Sequence, residues 1–415
     1  MKRIFKGKKV LVMGLGLNGG GVGVAKFFCR QGAIVTVTDL KTKEQLEESV
    51  LKLKGLKIRF VLGGHKEQDF IDSDLIIKNP DVPNTSPYLE IAKNNNVSVE
   101  SDVSLFLRLA KIFTIGVTGT KGKSTTASLI YHLLKSKYKR IFLAGNIGLS
   151  PLEILSKVKK GDKVVLELSS FELDDLEQSP NIAVITNIMP DHLNRYAGMV
   201  EYIQSKKRIF KYQNENDILV LNADDPIVKE FAKEAKSKVF FSSGQLAIKV
   251  AEILGVSEKS IARSVRSFKG VSSRQEFIKE VNGVKYFNDT TATIPEAVIF
   301  AINSFIERFP KAKLIFICGG QNKGLNYARL SNEIKDKVGE LVMLPGTASE
   351  KIKEELGEFR NLHEVPSMRD AVKKASGLAK KGDVVVLSPG AASFNLFKNE
   401  FDRGAQFIKF VKELK

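Results

Sequence analysis

The sequence predicts an α/β protein of three domains, each built on a mainly parallel sheet. The prediction rests on three short apolar runs, each followed by glycine and then by a helical pattern, at Lys9–Met13, Ile112–Val117 and Leu314–Cys318. A strand, a glycine turn and a helix in succession are typical of parallel α/β sheets. The runs lie near the starts of three thirds of the 415-residue chain, which favours three domains over a short-period solenoid. We therefore expect domains at residues 1–111, 112–270 and 271–415.

Further strands are predicted where β-branched residues cluster in short runs. These runs are Ala33–Thr38, Leu75–Ile77, Ile141–Leu143, Val164–Leu168, Ile182–Thr186, Ile218–Leu221, Val239–Phe241, Leu341–Leu344 and Val384–Leu387. Between them lie amphipathic stretches with helical spacing, such as Ser124–Lys135 and Met368–Ala379. The alternation of strand and helix extends the α/β pattern along the chain.

The composition excludes disorder as the dominant state, because 43% of the residues are hydrophobic. The 65 Lys and Arg residues exceed the 47 Asp and Glu residues by 18. A basic balance of this kind suggests an anionic partner. The lysines are scattered along the chain rather than gathered in one arm, so a solvated lysine-rich surface also explains them. We expect no nucleic-acid partner.

The cysteines and the N-terminus favour a cytoplasmic protein. Cys29 and Cys318 are far apart and belong to no Cys-x-x-Cys pair, so they build neither a zinc cluster nor a disulfide framework. The basic N-terminus and the apolar run after it superficially resemble a signal peptide, but Gly14 and Gly16 interrupt that run. No uninterrupted apolar run approaches about 18 residues, so we expect no membrane span.

The first candidate site is GLGLNG, residues 14–19, which follows the first strand and precedes a helix. In a dinucleotide-binding fold such glycines let the backbone approach a pyrophosphate, and an acid at the end of the next strand, here Asp39, binds a ribose hydroxyl. A single match of this kind also fits a tight strand–helix turn in any α/β domain. Nucleotide binding and a purely structural turn therefore both remain open for this loop.

The second candidate site is TGTKGKST, residues 118–125, after the second glycine-bounded strand. Amides of such a loop cradle phosphates at a helix N-terminus, Lys123 would neutralise β- and γ-phosphate oxygens, and Ser124 would hold Mg²⁺. The usual P-loop has a glycine five residues before Gly122, where this sequence has Val117, so the loop is a variant. A strand, Gly-Lys-Ser-Thr and a helix in this order predict a nucleotide site.

A third group of polar residues lies at the ends of two later strands. Glu167 ends one predicted strand, and Asp191 and His192 follow another. The carboxyl ends of parallel strands share the edge at which the phosphates would lie, and Mg²⁺ requires oxygen ligands. Taken alone, Glu167 would be a solvated strand-end charge and His192 a packing residue. Beside the phosphate loop, both are expected to belong to the site.

A fourth group follows apolar runs in the last third of the chain. It consists of NDTTAT at 288–293, GGQNKG at 319–324 and LSPGAASF at 387–394. Small hydroxyl side chains together with Lys323 would suit an anionic second substrate. Spacing alone also fits ordinary turns at strand ends, so that alternative stays open.

Together these segments resemble the Mur ligase family along the whole chain and in the same order. Besides the motifs above, the resemblance rests on AGNIG at 144–148, ELSSFEL at 167–173, DHLNRY at 191–196, NADD at 222–225 and LSPGAASFNLFKNEFDRG at 387–404. The variant phosphate loop is shared with folylpolyglutamate-type ligases. The final segment and NDTTAT are most similar to the family member that uses D-glutamate.

The resemblance implies an ATP-dependent amide ligase of peptidoglycan precursor synthesis. It implies ATP and Mg²⁺ as cofactors, and UDP-N-acetylmuramoyl-L-alanine and D-glutamate as substrates. The substrate carboxylate would attack the γ-phosphate to give an acyl phosphate, and the amine of D-glutamate would then attack the acyl carbon. The implied architecture has Rossmann-like first and third domains and a P-loop-type central ATPase domain. We expect the protein to be a monomer.

The resemblance also assigns site residues by motif. For the UDP substrate these are Leu17, Asn18, Gly19, Asp39, Asn146 and His192. For ATP they are Gly119, Thr120, Lys121, Gly122, Lys123, Ser124, Thr125, Arg274 and Asp289. For D-glutamate they are Thr293, Lys323, Ser393 and Phe394. The implied catalytic residues are Lys123, Glu167, His192 and Lys206, and the implied metal ligands are Ser124, Glu167, His192 and Lys206.

Lys206 is implied as a metal ligand only in carbamylated form. The family carries a carbamylated lysine on the helix after DHLNRY, and here Lys206 lies on that helix, four residues after Tyr202. A carbamate would turn a cation into a bidentate oxygen ligand. The neighbouring Lys207 is the alternative, because the preceding loop is one residue shorter than usual.

Three other functions have to be distinguished from this one. A sister ligase that acts on another UDP-muramoyl substrate or on a folate would share the phosphate loop. A nicotinamide-dependent dehydrogenase would use GLGLNG and Asp39 but has no use for TGTKGKST. A nucleic-acid-binding P-loop protein would account for the charge of +18, and its binding would depend steeply on salt.

Overall fold

The structure, a computed structural model, describes residues 3–17, 19–147, 149–192, 195–268, 270–322, 324–393 and 396–414. The chain divides into two compact units, Met1–Phe268 and Lys269–Lys415. The first unit contains two sheets and the second contains one. The domain boundaries at 111/112 and 270/271 stay predictions. Within the described ranges, every helix is too short or too polar to cross a membrane.

The first sheet has five parallel strands in the order β3-β2-β1-β4-β5. The strands are β1 Lys9–Met13, β2 Ile34–Asp39, β3 Ile58–Leu62, β4 Leu75–Lys78 and β5 Ser98–Glu100. The helices are α1 Gly20–Gln31, α2 Glu47–Leu51, α3 Glu67–Ile71, α4 Pro87–Asn94 and α5 Asp102–Ala110. Strand order reverses at β1, so the glycine loop after β1 lies where open α/β sheets bind ligands.

The second sheet has six parallel strands in the order β11-β10-β9-β6-β8-β7. The strands are β6 Phe113–Thr118, β7 Ile141–Gly145, β8 Lys163–Glu167, β9 Ile182–Ile185, β10 Ile218–Asn222 and β11 Lys238–Ser242. The helices are α6 Lys123–Leu134, α7 Pro151–Leu155, α8 Ser170–Leu173, α9 Met199–Lys211, α10 Pro226–Glu230, α11 Leu246–Ile253 and α12 Glu258–Ser267, with a 3₁₀ turn at Phe231–Lys233. Of the strands that follow β6 in the chain, β7 and β8 lie on one side of it and β9 to β11 on the other. The loop after β6 therefore lies where the strand order of this sheet reverses.

The two sheets of the first unit share a hydrophobic core. Apolar side chains of β1, β2, β8 and β9 belong to one buried cluster, and α7 packs against both α1 and α5. Strands buried on both faces form continuous apolar runs rather than alternating ones, which is why the sequence predicts them. This shared core fixes the first glycine loop and the phosphate loop within one compact unit.

The third sheet has six strands in the order β12-β13-β17-β14-β15-β16. The strands are β12 Glu276–Val281, β13 Val284–Asn288, β14 Leu314–Cys318, β15 Glu340–Met343, β16 Leu362–Glu364 and β17 Val384–Leu387. The helices are α13 Pro295–Arg308, α14 Ala328–Lys337, α15 Thr347–Leu356, α16 Met368–Leu378 and α17 Glu400–Glu413. All neighbouring strands in this sheet are parallel except β12 and β13, which form an antiparallel hairpin.

The predicted α/β class with mainly parallel sheets is confirmed. The bounds predicted for β1, β14 and β17 match the structure, and most other predicted strands differ from it by one or two residues. The β12–β13 hairpin was absent from the sequence prediction. Its turn is Asn282-Gly283, and both residues have positive φ, 50° and 78°, which is the geometry that Asn-Gly supplies in two-residue hairpins.

Candidate active site

The phosphate loop between β6 and α6 is held in shape by the end of β9. The amide of Thr120 donates to the carbonyl of Asn187 at 2.8 Å, and the amide of Lys121 donates to Asn187 Oδ1 at 2.8 Å. Thr186 Oγ1 donates to the carbonyl of Lys121 at 2.6 Å. A Cβ at Gly119 would lie 2.0 Å from Thr186 Oγ1, so only glycine fits there. The shape of the phosphate loop is therefore set by contacts within the protein.

Four of the predicted ATP residues, Gly122 to Thr125, lie where this loop enters the helix. Gly122 precedes α6 with a φ of 82°, in the left-handed region that favours glycine. The Nζ of Lys123 donates to the carbonyl of Thr120 at 2.9 Å. The first turn of α6 carries no acidic residue, so its amides and its dipole favour an anion. Thr125, in the same turn, is exposed.

Ser124 and Glu167 form a buried pair under the phosphate loop. Ser124 Oγ donates to Glu167 Oε1 at 2.9 Å, and both residues are at least 95% buried. The other carboxylate oxygen, Oε2, is also buried and accepts no hydrogen bond from the described residues. A buried carboxylate oxygen without a partner is costly. A cation at this position would satisfy it.

These residues fit a Mg²⁺-bound nucleotide. The parts of the chain that the structure describes contain no group of three His, Cys, Asp or Glu side chains that could hold a metal by themselves. Mg²⁺ is ordinarily bound by one or two protein oxygens together with substrate phosphates rather than by an all-protein cage. Glu167 Oε2 and the hydroxyl of Ser124 supply such oxygens beside the phosphate loop.

Lys206 and Lys207 on α9 point in different directions. Lys206 is 1% exposed, and its Nζ donates to Thr118 Oγ1 at 3.2 Å at the start of the phosphate loop. Burial, and secondarily the charge of Lys123, lowers the pKa of Lys206 well below its usual range. Lys207 instead pairs with Glu234 at 2.5 Å on the outer side. Of the two lysines, Lys206 alone contacts the phosphate loop, which supports the motif assignment.

His192 lies at the edge of the same site. It has a φ of 54°, unusual for a residue other than glycine, and its ring packs edge-to-face against Phe171 with centroids 4.7 Å apart. Partial burial lowers the pKa of His192, although the neighbouring Asp191 opposes this. A neutral imidazole is the form that can bind a metal. Lys121 Nζ lies 3.7 Å from Asp191.

In the first sheet, Asp39 holds the glycine loop. Its Oδ2 accepts from the amides of Leu15 at 2.8 Å and Gly16 at 3.1 Å, and its Oδ1 accepts from the amide of Lys41 at 2.9 Å. Asp39 thus positions the loop through its backbone, and direct binding of a ligand by this carboxylate stays a prediction. Leu17 is 39% exposed at the tip of the loop.

Of the remaining residues assigned to the UDP substrate, Gly19 and Asn146 lie in the described part of the chain. Gly19 is the N-cap of α1 with a φ of 91°. Asn146 is exposed, and its amide donates to the carbonyl of Glu167 at 3.0 Å. This contact joins the end of β7 to the end of the strand that carries Glu167. Asn18 lies outside the described residues.

The second unit brings Arg274 and Asp289 together. The carboxylate of Asp289 accepts from Ser388 Oγ at 2.9 Å and from the amide of Gln275 at 3.1 Å. Burial raises the pKa of Asp289 to about 7, against the lowering effect of these bonds and of the Arg274 charge. Arg274 itself is exposed.

Two of the four residues assigned to D-glutamate are described. Thr293 is half-buried, and its amide donates to the carbonyl of Thr291 at 3.0 Å. Ser393 is 2% exposed, and its Oγ has no hydrogen-bond partner among the described residues. An unsatisfied buried hydroxyl is consistent with a polar ligand at this turn. Lys323 and Phe394 lie outside the described residues.

The sequence prediction missed residues that shape the site without belonging to its motifs. Thr186 and Asn187 fix the phosphate loop, and the hydroxyls of Tyr202 and Thr120 lie 3.0 Å apart in a hydrogen bond. Thr186 and Asn187 directly follow an apolar strand, and that position at the carboxyl edge was the available signal. Nothing in the sequence marks Tyr202, because its contact is set by the packing of α9.

Three family models match the chain in order. They are the MurD-like N-terminal domain of Mur ligases over residues 8–101, the Mur ligase middle domain over residues 117–277, and the Mur ligase glutamate ligase domain over residues 273–390. Proteins named UDP-N-acetylmuramoylalanine--D-glutamate ligase are also similar. Those from Roseiflexus sp. (strain RS-1) and Borreliella afzelii (strain PKo) are 38% and 37% identical, covering 98% and 99% of this chain and 98% of each relative.

Solved structures share the fold at lower identity. The UDP-N-acetylmuramate-alanine ligase MurC from Thermotoga maritima has a TM-score of 0.64 at 20% identity and covers 98% of this chain and 99% of its own. The MurF ligase from Thermotoga maritima, solved in complex with ADP, has a TM-score of 0.59 at 18% identity and covers 100% of this chain and 96% of its own. By its matched domains and its relatives along nearly the whole length, this chain belongs to the Mur ligase family.

Proposed function

We propose that this chain is an ATP-dependent ligase that joins D-glutamate to UDP-N-acetylmuramoyl-L-alanine in peptidoglycan precursor synthesis, releasing ADP and phosphate. The observation that carries the proposal is the Ser124–Glu167 pair under the phosphate loop, with one carboxylate oxygen buried and unpartnered among the described residues. The choice of substrates is supported by the name of the relatives that match the chain at 38% and 37% identity over nearly its full length.

The reaction proceeds in two balanced steps. A carboxylate oxygen of the alanyl group attacks the γ-phosphorus, the bond to the β,γ-bridging oxygen breaks, and ADP leaves. The amine of D-glutamate then attacks the acyl carbon, the carbon–oxygen bond to phosphate breaks, and the amine loses a proton as the amide forms. Both steps bring anionic substrates together, so the site must supply positive charge, and the acyl phosphate must be kept from water.

The phosphate loop supplies most of that charge. The amides from Gly122 to Thr125, at the N-terminus of α6, bind the phosphates, whereas those of Thr120 and Lys121 donate to Asn187. The side chains of Lys121 and Lys123 neutralise the phosphate oxygens. Ser124 and Glu167 would hold Mg²⁺, which when bound supplies further positive charge against the phosphates. Lys206 and His192 border the same loop and provide the remaining cation or metal-binding groups.

The other two substrates are assigned to separate parts of the chain. The glycine loop at Leu17–Gly19, held by Asp39, binds the UDP group, with Asn146 and His192 toward the muramoyl group. In the second unit, the resemblance assigns Arg274 and Asp289 to ATP, and Thr293, Lys323, Ser393 and Phe394 to D-glutamate. The resemblance assigns residues of one chain to all three substrates, and we propose that the protein acts as a monomer. Its two cysteines form no disulfide with each other, in keeping with a cytoplasmic location.

The proposal is tested by an amino-acid panel. Purified protein is supplied with ATP, Mg²⁺ and UDP-N-acetylmuramoyl-L-alanine, and phosphate release is measured with D-glutamate, L-glutamate, L-alanine, L-lysine or diaminopimelate. Release with D-glutamate at a rate at least about 100-fold above the others is expected, because a site built for one set of polar groups rejects analogues strongly.

The same assay separates the sister activities. Lys123→Ala serves as the inactive control. Preference for another amino acid, or activity only with UDP-N-acetylmuramate or a folate, would assign the chain to a different reaction of the family. Absence of phosphate release with every combination would overturn the proposal.

A further inference from the structure

Arg195 connects the second sheet of the first unit to a loop of the first sheet. Its Nη1 donates to the carbonyl of Asp81 at 2.9 Å, and its Nη2 donates to the carbonyls of Pro80 at 2.9 Å and Val82 at 3.2 Å. Among the described residues, no carboxylate forms an ion pair with it. An arginine used in this way acts through the fork geometry of its donors rather than through a counter-ion.

The loop that Arg195 holds is the segment Asn79–Val82, which lies directly against the first glycine loop. The amide of Asn79 donates to the carbonyl of Met13 at 2.8 Å. A Cβ at Gly14 would lie 2.7 Å from the Cβ of Asn79, so the two backbones are in close contact. Any shift of Asn79–Val82 would therefore displace the glycine loop assigned to the UDP group.

Lys78 also binds the segment Asn79–Val82. Its Nζ donates to the carbonyl of Val82 at 3.3 Å and pairs with Asp175 at 2.9 Å, with 2% of the lysine side chain exposed. Asp175 belongs to the segment after α8, so this pair also crosses from the first sheet to the second. The carbonyl of Val82 thus accepts hydrogen bonds from two side chains, Arg195 and Lys78, that are far apart in the sequence.

On its other side, Arg195 packs on the wall of the candidate active site. Its guanidinium lies 4.0 Å from the ring centroid of Phe171, and that ring contacts His192. Stacking of a guanidinium on an aromatic face restrains its plane. The residue is therefore oriented by the site and in turn orients the loop Asn79–Val82.

We propose that Arg195 is a positioning residue that sets the place of the UDP-linked substrate relative to the phosphate loop. This inference rests on the proposed function, because it assumes that the glycine loop binds the UDP group. Loss of the three hydrogen bonds should loosen Asn79–Val82, which Lys78 still holds through the carbonyl of Val82, and with it the edge of the glycine loop that it contacts. Binding of the UDP substrate should weaken, whereas the phosphate loop, fixed independently by Thr186 and Asn187, should keep its affinity for ATP.

The test compares Arg195→Met with Arg208→Met by steady-state kinetics. Methionine retains an unbranched side chain over Phe171 but has no donors. Arg208 makes equivalent bonds to the carbonyls of Leu173 at 3.0 Å and Leu176 at 2.7 Å, both on the second-sheet side, so it is the matched control. We expect KM for UDP-N-acetylmuramoyl-L-alanine to rise about 10- to 100-fold in Arg195→Met, since small misplacements of this kind have large effects. KM for ATP should stay within about threefold of the wild-type value, because Thr186 and Asn187 keep the phosphate loop in place. Arg208→Met should leave both constants near wild type.

A third variant, Arg195→Lys, separates position from charge. Lysine keeps the cation but cannot reproduce the planar fork, so most of the rise in KM should persist. Full recovery with lysine, an equal rise in both KM values, an unchanged KM or the same rise in Arg208→Met would overturn the inference. If Arg195→Met does not fold, as judged by thermal melting, the lysine variant decides the question alone. A wild-type protein inactive with the UDP substrate would instead refute the proposed function.

Discussion

The hydroxyl of Ser124 donates a hydrogen bond to Oε1 of Glu167 at 2.9 Å. Ser124 lies in the first turn of α6, after the phosphate loop, and Glu167 ends a neighbouring parallel strand, β8. The bond uses one carboxylate oxygen and leaves the second buried and without a hydrogen bond from the described residues. A pair that is half satisfied in this way is suited to a cation that arrives with the nucleotide.

Glu167→Gln should weaken the use of Mg²⁺ without disturbing the fold. The amide keeps the size of the side chain and an oxygen that can accept from Ser124, but it removes the negative charge. We expect kcat to fall by about 10²–10³ and the Mg²⁺ concentration for half-maximal rate to rise. Phosphate release is measured over a Mg²⁺ series, with exposed Glu215→Gln as the control. A Mg²⁺ dependence like that of the wild type would contradict the assignment.

Lys123→Ala should abolish phosphate release while leaving the binding of the UDP substrate nearly intact. Removing the ammonium leaves phosphate charge uncompensated, which for comparable electrostatic contacts costs about 10²–10³ in rate. The UDP substrate is assigned to the first glycine loop, on a different sheet. Binding of the UDP substrate is measured by calorimetry, and phosphate release is measured over an ATP series. The control is Lys135→Ala, at an exposed position at the end of the same helix. Activity within a few-fold of wild type would refute the phosphate-loop assignment.

Much of the fold could be predicted because buried parallel strands are continuous apolar runs bounded by glycine. This rule located β1, β14 and β17 with their observed ends. It failed for β12, whose sequence EFIKEV mixes polar and apolar residues without a continuous apolar run and contains three charges. Such an edge strand is defined by its partner and by the Asn282-Gly283 turn rather than by its own hydrophobicity.

The candidate site could be predicted where its residues are consecutive or end a strand. The phosphate loop is a local sequence, and Glu167 ends an apolar run, so both have a sequence signal. The contacts of Tyr202 and Arg195 have none, because each joins positions that are far apart in the chain. Their partners depend on the direction of a side chain from a folded element, which spacing does not specify.

The stability of the first unit should decrease as the pH rises toward 8, partly because of Glu172. Burial, reinforced by the nearby Asp102, raises the pKa of Glu172 from 4.5 to about 8. The folded protein therefore binds a proton that the unfolded chain has released, and between pH 4.5 and about 8 the free energy of unfolding falls with pH. At about 1.4 kcal/mol per unit of pKa, the difference between 4.5 and about 8 corresponds to a loss on the order of 5 kcal/mol.

Glu172→Gln tests this dependence. The variant keeps an acceptor for Ser169 but cannot ionise, so its melting temperature should vary less between pH 5 and pH 9 and should exceed that of the wild type at the upper end. Thermal melts by circular dichroism across this range, with exposed Glu177→Gln as the control, measure the difference. Parallel curves for wild type and Glu172→Gln would show that this carboxyl does not hold a proton in the fold.

The resemblance implies a carbamylated lysine, and the structure makes Lys206 the residue to test. Formation of a carbamate needs CO₂ and a neutral amine, and the pKa of Lys206 is lowered by burial and by Lys123. The modification would replace a cation beside the phosphate loop with an anion able to bind a metal together with His192.

Lys206→Ala should then be nearly inactive, and acetate or formate should restore part of the activity by occupying the vacated position. Lys207→Ala loses a surface pair with Glu234 and a cation–π contact with Phe231. Its activity should be close to wild type, because exposed pairs contribute about 0–1 kcal/mol. Mass spectrometry of the wild-type protein in bicarbonate buffer tests for the carbamate, and phosphate release is measured for both variants. An essential Lys207 with a dispensable Lys206 would move the assignment by one residue, and two dispensable lysines would eliminate the carbamate.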